Sequence, residues 1–160
     1  GKKSDIIKEL VSNLIEQMKV ATLDPPIDPI ENAKFFVDNV VATFEQDTDF
    51  YRAALMSAEQ LRLFDPRIPD GLFQRAQQVA APRKDWYEAG LFLGNIEPST
   101  IMKKVHNSNR LGRIDWVSGY IDLNQFRHQV LEGILLVYAS DASPEFHVRL
   151  SEEINGLSKL

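Results

Sequence analysis

Three histidines, His106, His128 and His147, are the residues of this 160-residue chain best suited to proton transfer or metal ligation. They are far apart, and none belongs to a His-Glu-x-x-His pair that would put two imidazoles on one helical face. No cysteine is present, which removes thiolate ligands and disulfides together. There is no Gly-x-Ser-x-Gly elbow and no phosphate-cradling glycine loop. Glu152-Glu153 and Lys103-Lys104 read most simply as solvated faces. The expectation is a protein without catalysis, cofactor or metal, whose histidines are surface or satisfied polar groups.

Recognition is a better use of the side chains present. Phe35, Phe36, Phe44, Phe50, Tyr51, Trp86, Tyr87, Phe92 and Trp116, mixed with Met18, Met56 and Met102, can line an apolar pocket of adaptable shape. The same residues can equally form ordinary core. Asn109 shares a helical face with Val105, Gly112 and Trp116, and buried alone it would cost roughly 1–3 kcal/mol. It must therefore meet a polar group or a ligand. His106, one turn before Arg110, is placed at a pocket rim or in solvent.

The elements that carry these residues are helical. Ile6, Ile7, Leu10, Val11, Leu14, Ile15 and Met18 recur at spacings of three, four and one, and this first helix is expected to end near Leu23. Asp28-Pro29-Ile30-Glu31 reads as a cap, a first-position proline and a capping box. A third helix follows the polar run 45–49, and 64–69 is a loop. Residues 70–80 and 85–93 read as helical, interrupted by Pro82. Ser99 opens a long helix that closes near Gly119. Asp122-Leu123-Asn124-Gln125 is a second capping box, and Ser143-Pro144-Glu145 starts the last helix. About eight or nine helices are expected, with no sheet, because no strict apolar and polar alternation occurs. The length fits one domain. No window reaches the ~18 apolar residues of a membrane span, so no membrane partner is expected. A cytoplasmic setting is expected. With 18 Lys and Arg against 23 Asp and Glu, the net charge is −5, which is unsuited to gripping phosphates.

Three segments together resemble the tetracycline-repressor (TetR/AcrR) family of transcription regulators. The first is Gly1-Lys2-Lys3-Ser4-Asp5-Ile6-Ile7, similar to the stretch that joins the family's helix-turn-helix domain to its first connecting helix. The second, Asp47-Thr48-Asp49-Phe50-Tyr51-Arg52-Ala53-Ala54-Leu55, is similar to the family's Asp-Pro-x-Phe-Tyr-Arg-x-Leu-Leu opening of a middle helix. The third is Trp116-Val117-Ser118-Gly119-Tyr120-Ile121-Asp122 followed by Phe126 and Gly133, which resembles a Trp-x-x-Gly-x-Ile turn between two long helices.

The resemblance implies an all-α effector-binding and dimerisation domain of a one-component repressor, whose N-terminal helix-turn-helix domain is not in this chain. Operator DNA would be a partner only through that missing domain, with Lys3 adding a phosphate contact in the full-length protein. A homodimer is implied through a four-helix bundle of the last two helices, with Phe126, Val130, Gly133, Ile134, Val137, Phe146, Leu150 and Ile154 at the interface. Apolar positions on two faces of the Phe126 helix support it independently. A small-molecule effector is expected in a cavity lined by Met18, Phe36, Val40, Phe50, Met56, Met102, Val105, Asn109 and Trp116. That effector is expected to be largely apolar rather than highly anionic, because these faces bring no arginine inward. The alternative is a helical module that holds an apolar ligand or a protein partner and has no DNA-binding role.

Overall fold

The computed structural model describes residues 1–21 and 26–159, and its regular structure is helical. Among the described residues eight helices form: α1 (Lys2–Ala21), α2 (Pro29–Gln46), α3 (Thr48–Gln60), α4 (Leu72–Val79), α5 (Lys84–Glu88), α6 (Pro98–Val117), α7 (Leu123–Ala139) and α8 (Pro144–Leu157). The expected end of the first helix near Leu23 lies outside the described residues.

The helix starts follow local chemistry. Asp28 accepts from the amides of Ile30 and Glu31 at 3.1 and 3.2 Å, with Pro29 in the first turn of α2. Glu31 does not close the expected box; its carboxylate turns to Lys34 instead. The box at α7 is complete: Asp122 accepts from Gln125 N at 2.8 Å and Gln125 returns the bond to Asp122 N at 2.9 Å. Ser143 caps α8.

The helix ends are as specific. Gly119 sits at φ +80°, its amide bonded to Trp116 O and the Tyr120 amide bonded to Asp115 O, a Schellman closure of α6. The end of α3 has the same pair of bonds, Arg62 to Glu59 and Leu63 to Ala58, but with Arg62 at φ 59° in the position that glycine normally takes.

Two expectations for the middle of the chain need correction. The segment expected over 70–80 is the shorter α4, and that over 85–93 is the five-residue α5. The reason is the strand-like path after Gly90: Leu93 N bonds to Asp141 O, and Ser143 N bonds to Leu91 O, around an antiparallel bridge between Phe92 and Ala142. Asp141 is 2% exposed, and its two carboxylate oxygens accept the amides of Gly94 and Asn95 at 3.0 and 2.9 Å. That carboxylate fastens the α5–α6 loop to the α7–α8 turn. Periodicity could not reveal a bond across so many residues.

Two apolar clusters make the core. The larger joins α2, α6, α7 and α8 through residues such as Val37, Phe44, Ile101, Val105, Phe126 and Ile134. The smaller, Val11, Ile15, Ala58, Phe64 and Leu72, joins α1, α3, α4 and the loop after α3. Helices α6 and α7 approach closely at Gly112, where an added Cβ would overlap Val130 Cγ2 and stand 3.1 Å from Phe126.

This packing corrects the expected interface. Phe126, Val130, Ile134, Phe146 and Leu150 are at most 1% exposed within a single copy of the chain. Val137 and Ile154 pack against the same core. Gly133 faces inward too, since a Cβ there would be 2.8 Å from Ser108 Oγ on α6. Leu131, Leu135 and Tyr138, on the second apolar face of α7, are also buried. Both faces of α7 are consumed by α2, α6 and α8, so two-sided apolarity here reflects a central helix rather than a dimer surface. On α7 and α8 the exposed large apolar side chains are Leu136 and Val148.

Candidate ligand cavity

A cavity of about 60 Å³ lies at the seam between the two core clusters. Val11, Leu14, Ile15 and Met18 of α1 form one wall, and Phe36, Val40 and Phe44 of α2 face them. Leu55, Phe64, Ala76 and Val79 contribute from α3, the following loop and α4, while Asn109 and Arg113 come from α6. A second cavity of about 140 Å³ adjoins it, lined by residues including Ala33, Trp86, Val105, Ile134 and Tyr138. Phe36 and Val79 line both spaces and form the partition between them.

Four of the nine residues expected around a ligand, Met18, Phe36, Val40 and Asn109, line the inner cavity. Val105 lines the outer one. Trp116 stands behind the wall, 1% exposed and stacked on Phe44 with ring centroids 4.8 Å apart. Met102 is half-buried on α6 and borders neither space. Phe50 and Met56 are 43% and 38% exposed. Helix α3 turns Ala54, Leu55 and Ala58 to the core, which leaves Met56 outside, and Phe50 at its first turn leans edge-on against Tyr51.

The electrostatics depart from expectation. Arg113 reaches the interior, one turn after Asn109, although no arginine was expected there. Its Nη2 is buried with no hydrogen-bond partner, and its guanidinium lies 5.4 Å from the centre of the Phe64 ring. Burial lowers its pKa to about 10, so it remains charged at neutral pH. The nearby carboxylate, Glu59, receives two bonds from Arg110, at 3.1 and 2.8 Å. Asn109 Oδ1 is also buried and unpartnered, so the polar group expected to meet it is not found among the described residues.

His106 is neither at a rim nor in solvent. It is 1% exposed, edge-on to Phe73 with centroids 5.0 Å apart, and its Nε2 lacks a partner. Burial, and then Arg113 and Arg110, push its pKa down to about 3, so the ring is neutral. His147 is exposed on α8 and His128 half-buried on α7, and among the described residues no group of three His, Cys, Asp or Glu is arranged around a common point. Lys3 is exposed in the first turn of α1.

Reading the sequence missed most of the wall that α1 and α4 supply. Phe64 lies in a loop with no period to place it. Arg113 had a usable signal: it follows Asn109 by four residues, which on a helix is the same face.

No family model, curated protein or solved structure matches this chain. Among the described residues no helix is long and apolar enough to cross a membrane.

Proposed function

We propose that this chain is the effector-binding domain of a one-component transcription regulator, in which a small molecule enters the seam between the two core clusters. The observation that carries the ligand-binding half is the pair Asn109 and Arg113, each with one buried polar atom that lacks a hydrogen-bond partner, on the wall of an otherwise apolar cavity. A folded protein ordinarily satisfies such groups, and a ligand that completes them supplies what the core withholds. The regulatory half, with its missing helix-turn-helix domain, homodimer and operator, rests on the sequence resemblance.

The arrangement suits a relay. Helix α1 supplies four residues of the inner wall and carries Lys3 at its other end. A ligand that separates α1 from α2 would move the segment that leads to a DNA reader. Only a ligand that favours one position of α1 over the other shifts that equilibrium. At about 60 Å³ the inner space is smaller than the ~150 Å³ void that accepts benzene, so binding requires this widening or an opening into the adjoining space past Phe36.

The test is a thermal-shift screen of apolar compounds against the chain and its Ala76→Leu variant, whose longer side chain occupies the cavity. Compounds that raise the melting temperature of the parent by several degrees and leave the variant unmoved are expected. Equal shifts in both proteins would place binding outside the seam.

A further inference from the structure

We propose that the ligand is a slender amphiphile with one anionic head, its carboxylate held by Arg113 and Asn109 and its chain running past Phe36 into the outer cavity. This rests on the ligand-binding reading above and adds the chemical class. The argument starts from charge. Arg110 and Arg113 lie beside one carboxylate, Glu59, and Arg110 takes both of its oxygens. Arg113, half-buried, is left as a cation whose buried Nη2 donates to nothing. Burying an ion without its counter-ion is unfavourable, and an incoming carboxylate relieves that where a neutral ligand does not. The Asn109 amide can turn about its last side-chain bond and donate to the same head.

Shape supplies the second half. Apart from Asn109 and Arg113 the inner wall is apolar, which leaves no second site for charge. The inner cavity by itself admits little more than the head. The outer cavity, about 140 Å³, begins on the far side of Phe36 and Val79 and is walled by Trp86, Val105, Ile134 and Tyr138. Asn32 and Arg83 are also on its lining; Arg83, unlike Arg113, is already paired with a carboxylate, that of Asp85. A rotation of the half-buried Phe36 joins the two into one passage. Such a passage suits a single alkyl chain.

Titration calorimetry of the 160-residue chain with decanoate and with decan-1-ol, which differ at the head alone, tests the assignment. Decanoate is expected to bind about tenfold tighter or more, in line with a charge-assisted bond. Arg113→Met should bind the two probes alike, while Arg113→Lys, which keeps the charge but not the fork, retains part of the preference and serves should the methionine variant fail to fold. Phe36→Ala should tighten both probes. Equal binding of acid and alcohol by the parent, or a preference that survives Arg113→Met, would overturn the head-group assignment and leave the cavity reading standing. Failure of both probes to bind the parent and Phe36→Ala would overturn both.

Discussion

His106 and Arg113 lie seven residues apart on α6, on the same side of the helix, and each carries a buried nitrogen without a hydrogen-bond partner, so each leaves a measurable mark on stability. The folded pKa of His106, about 3, lies below the ordinary value of 6.5. The unfolded chain therefore binds the proton first as pH falls. The contribution is complete above about pH 6.5 and declines toward pH 3, by at most about 1.4 kcal/mol per pH unit. Denaturant unfolding of His106→Leu should show a flatter stability profile than the parent between pH 6 and 4; parallel profiles would mean the ring is already protonated in the fold. For Arg113→Met the expectation is unchanged or higher stability at pH 7, because a half-buried cation without a hydrogen-bonded carboxylate is replaced by an apolar side chain of similar length. A loss above about 2 kcal/mol would show that the guanidinium is held by more than the Phe64 ring. The type of each residue was legible in the sequence, but its environment was not. His106 follows Val105 on an ordinary helix, and only the arrival of Phe73 from α4 decides that it is buried.

At the scale of elements, the long helices were legible because each carries its own start and stop. Asp122 with Gln125 and Ser143 with Pro144 act within four residues, and a local rule suffices for them. The short α5 and the stretch after it were misread because Leu91 and Leu93 answer to residues 141–143, a pairing that periodicity cannot express. Asp141→Ala, which removes two buried acceptors of backbone amides, should cost about 1–3 kcal/mol in chemical denaturation, with Asp141→Asn milder. Arg62→Gly should act in the opposite direction and raise stability by about 1 kcal/mol, since glycine holds φ 59° without strain. Gly112→Ala gains helix propensity worth about 1 kcal/mol but forces Val130 and Phe126 aside. Overpacking of a stiff, β-branched neighbour outweighs that, and a net loss of about 1–2 kcal/mol is expected.

For the whole molecule, the helical class followed from periodicity, whereas the use of each apolar face did not. The residues assigned to a dimer surface are the centre of a single copy, because a helix covered on all sides and a helix covered on one side plus a partner look alike in sequence. The proposed homodimer, if built on α7 and α8, would have Leu136 and Val148 as its exposed apolar anchors, and sedimentation equilibrium of Leu136→Glu beside the parent would then show weaker association. A monomeric parent at micromolar concentration would remove dimerisation from the account. The cavity likewise depends on how two clusters meet rather than on any one helix. It forms where the α1–α3–α4 cluster is joined to the α2–α6–α7–α8 cluster, and the polar pair on α6 lies in that join.

The most direct test of the account is where a ligand goes. Methyl-labelled nuclear magnetic resonance of the chain during titration with decanoate reports on Leu14, Val40, Leu55 and Val79 around the cavity, and on Leu136 and Val148 at the surface. Saturable shifts in the four cavity residues, with the two surface residues unmoved, are predicted. Shifts confined to Leu136 and Val148, or a seam that stays silent at saturating ligand, would contradict the claim that this domain senses a small molecule between its two clusters.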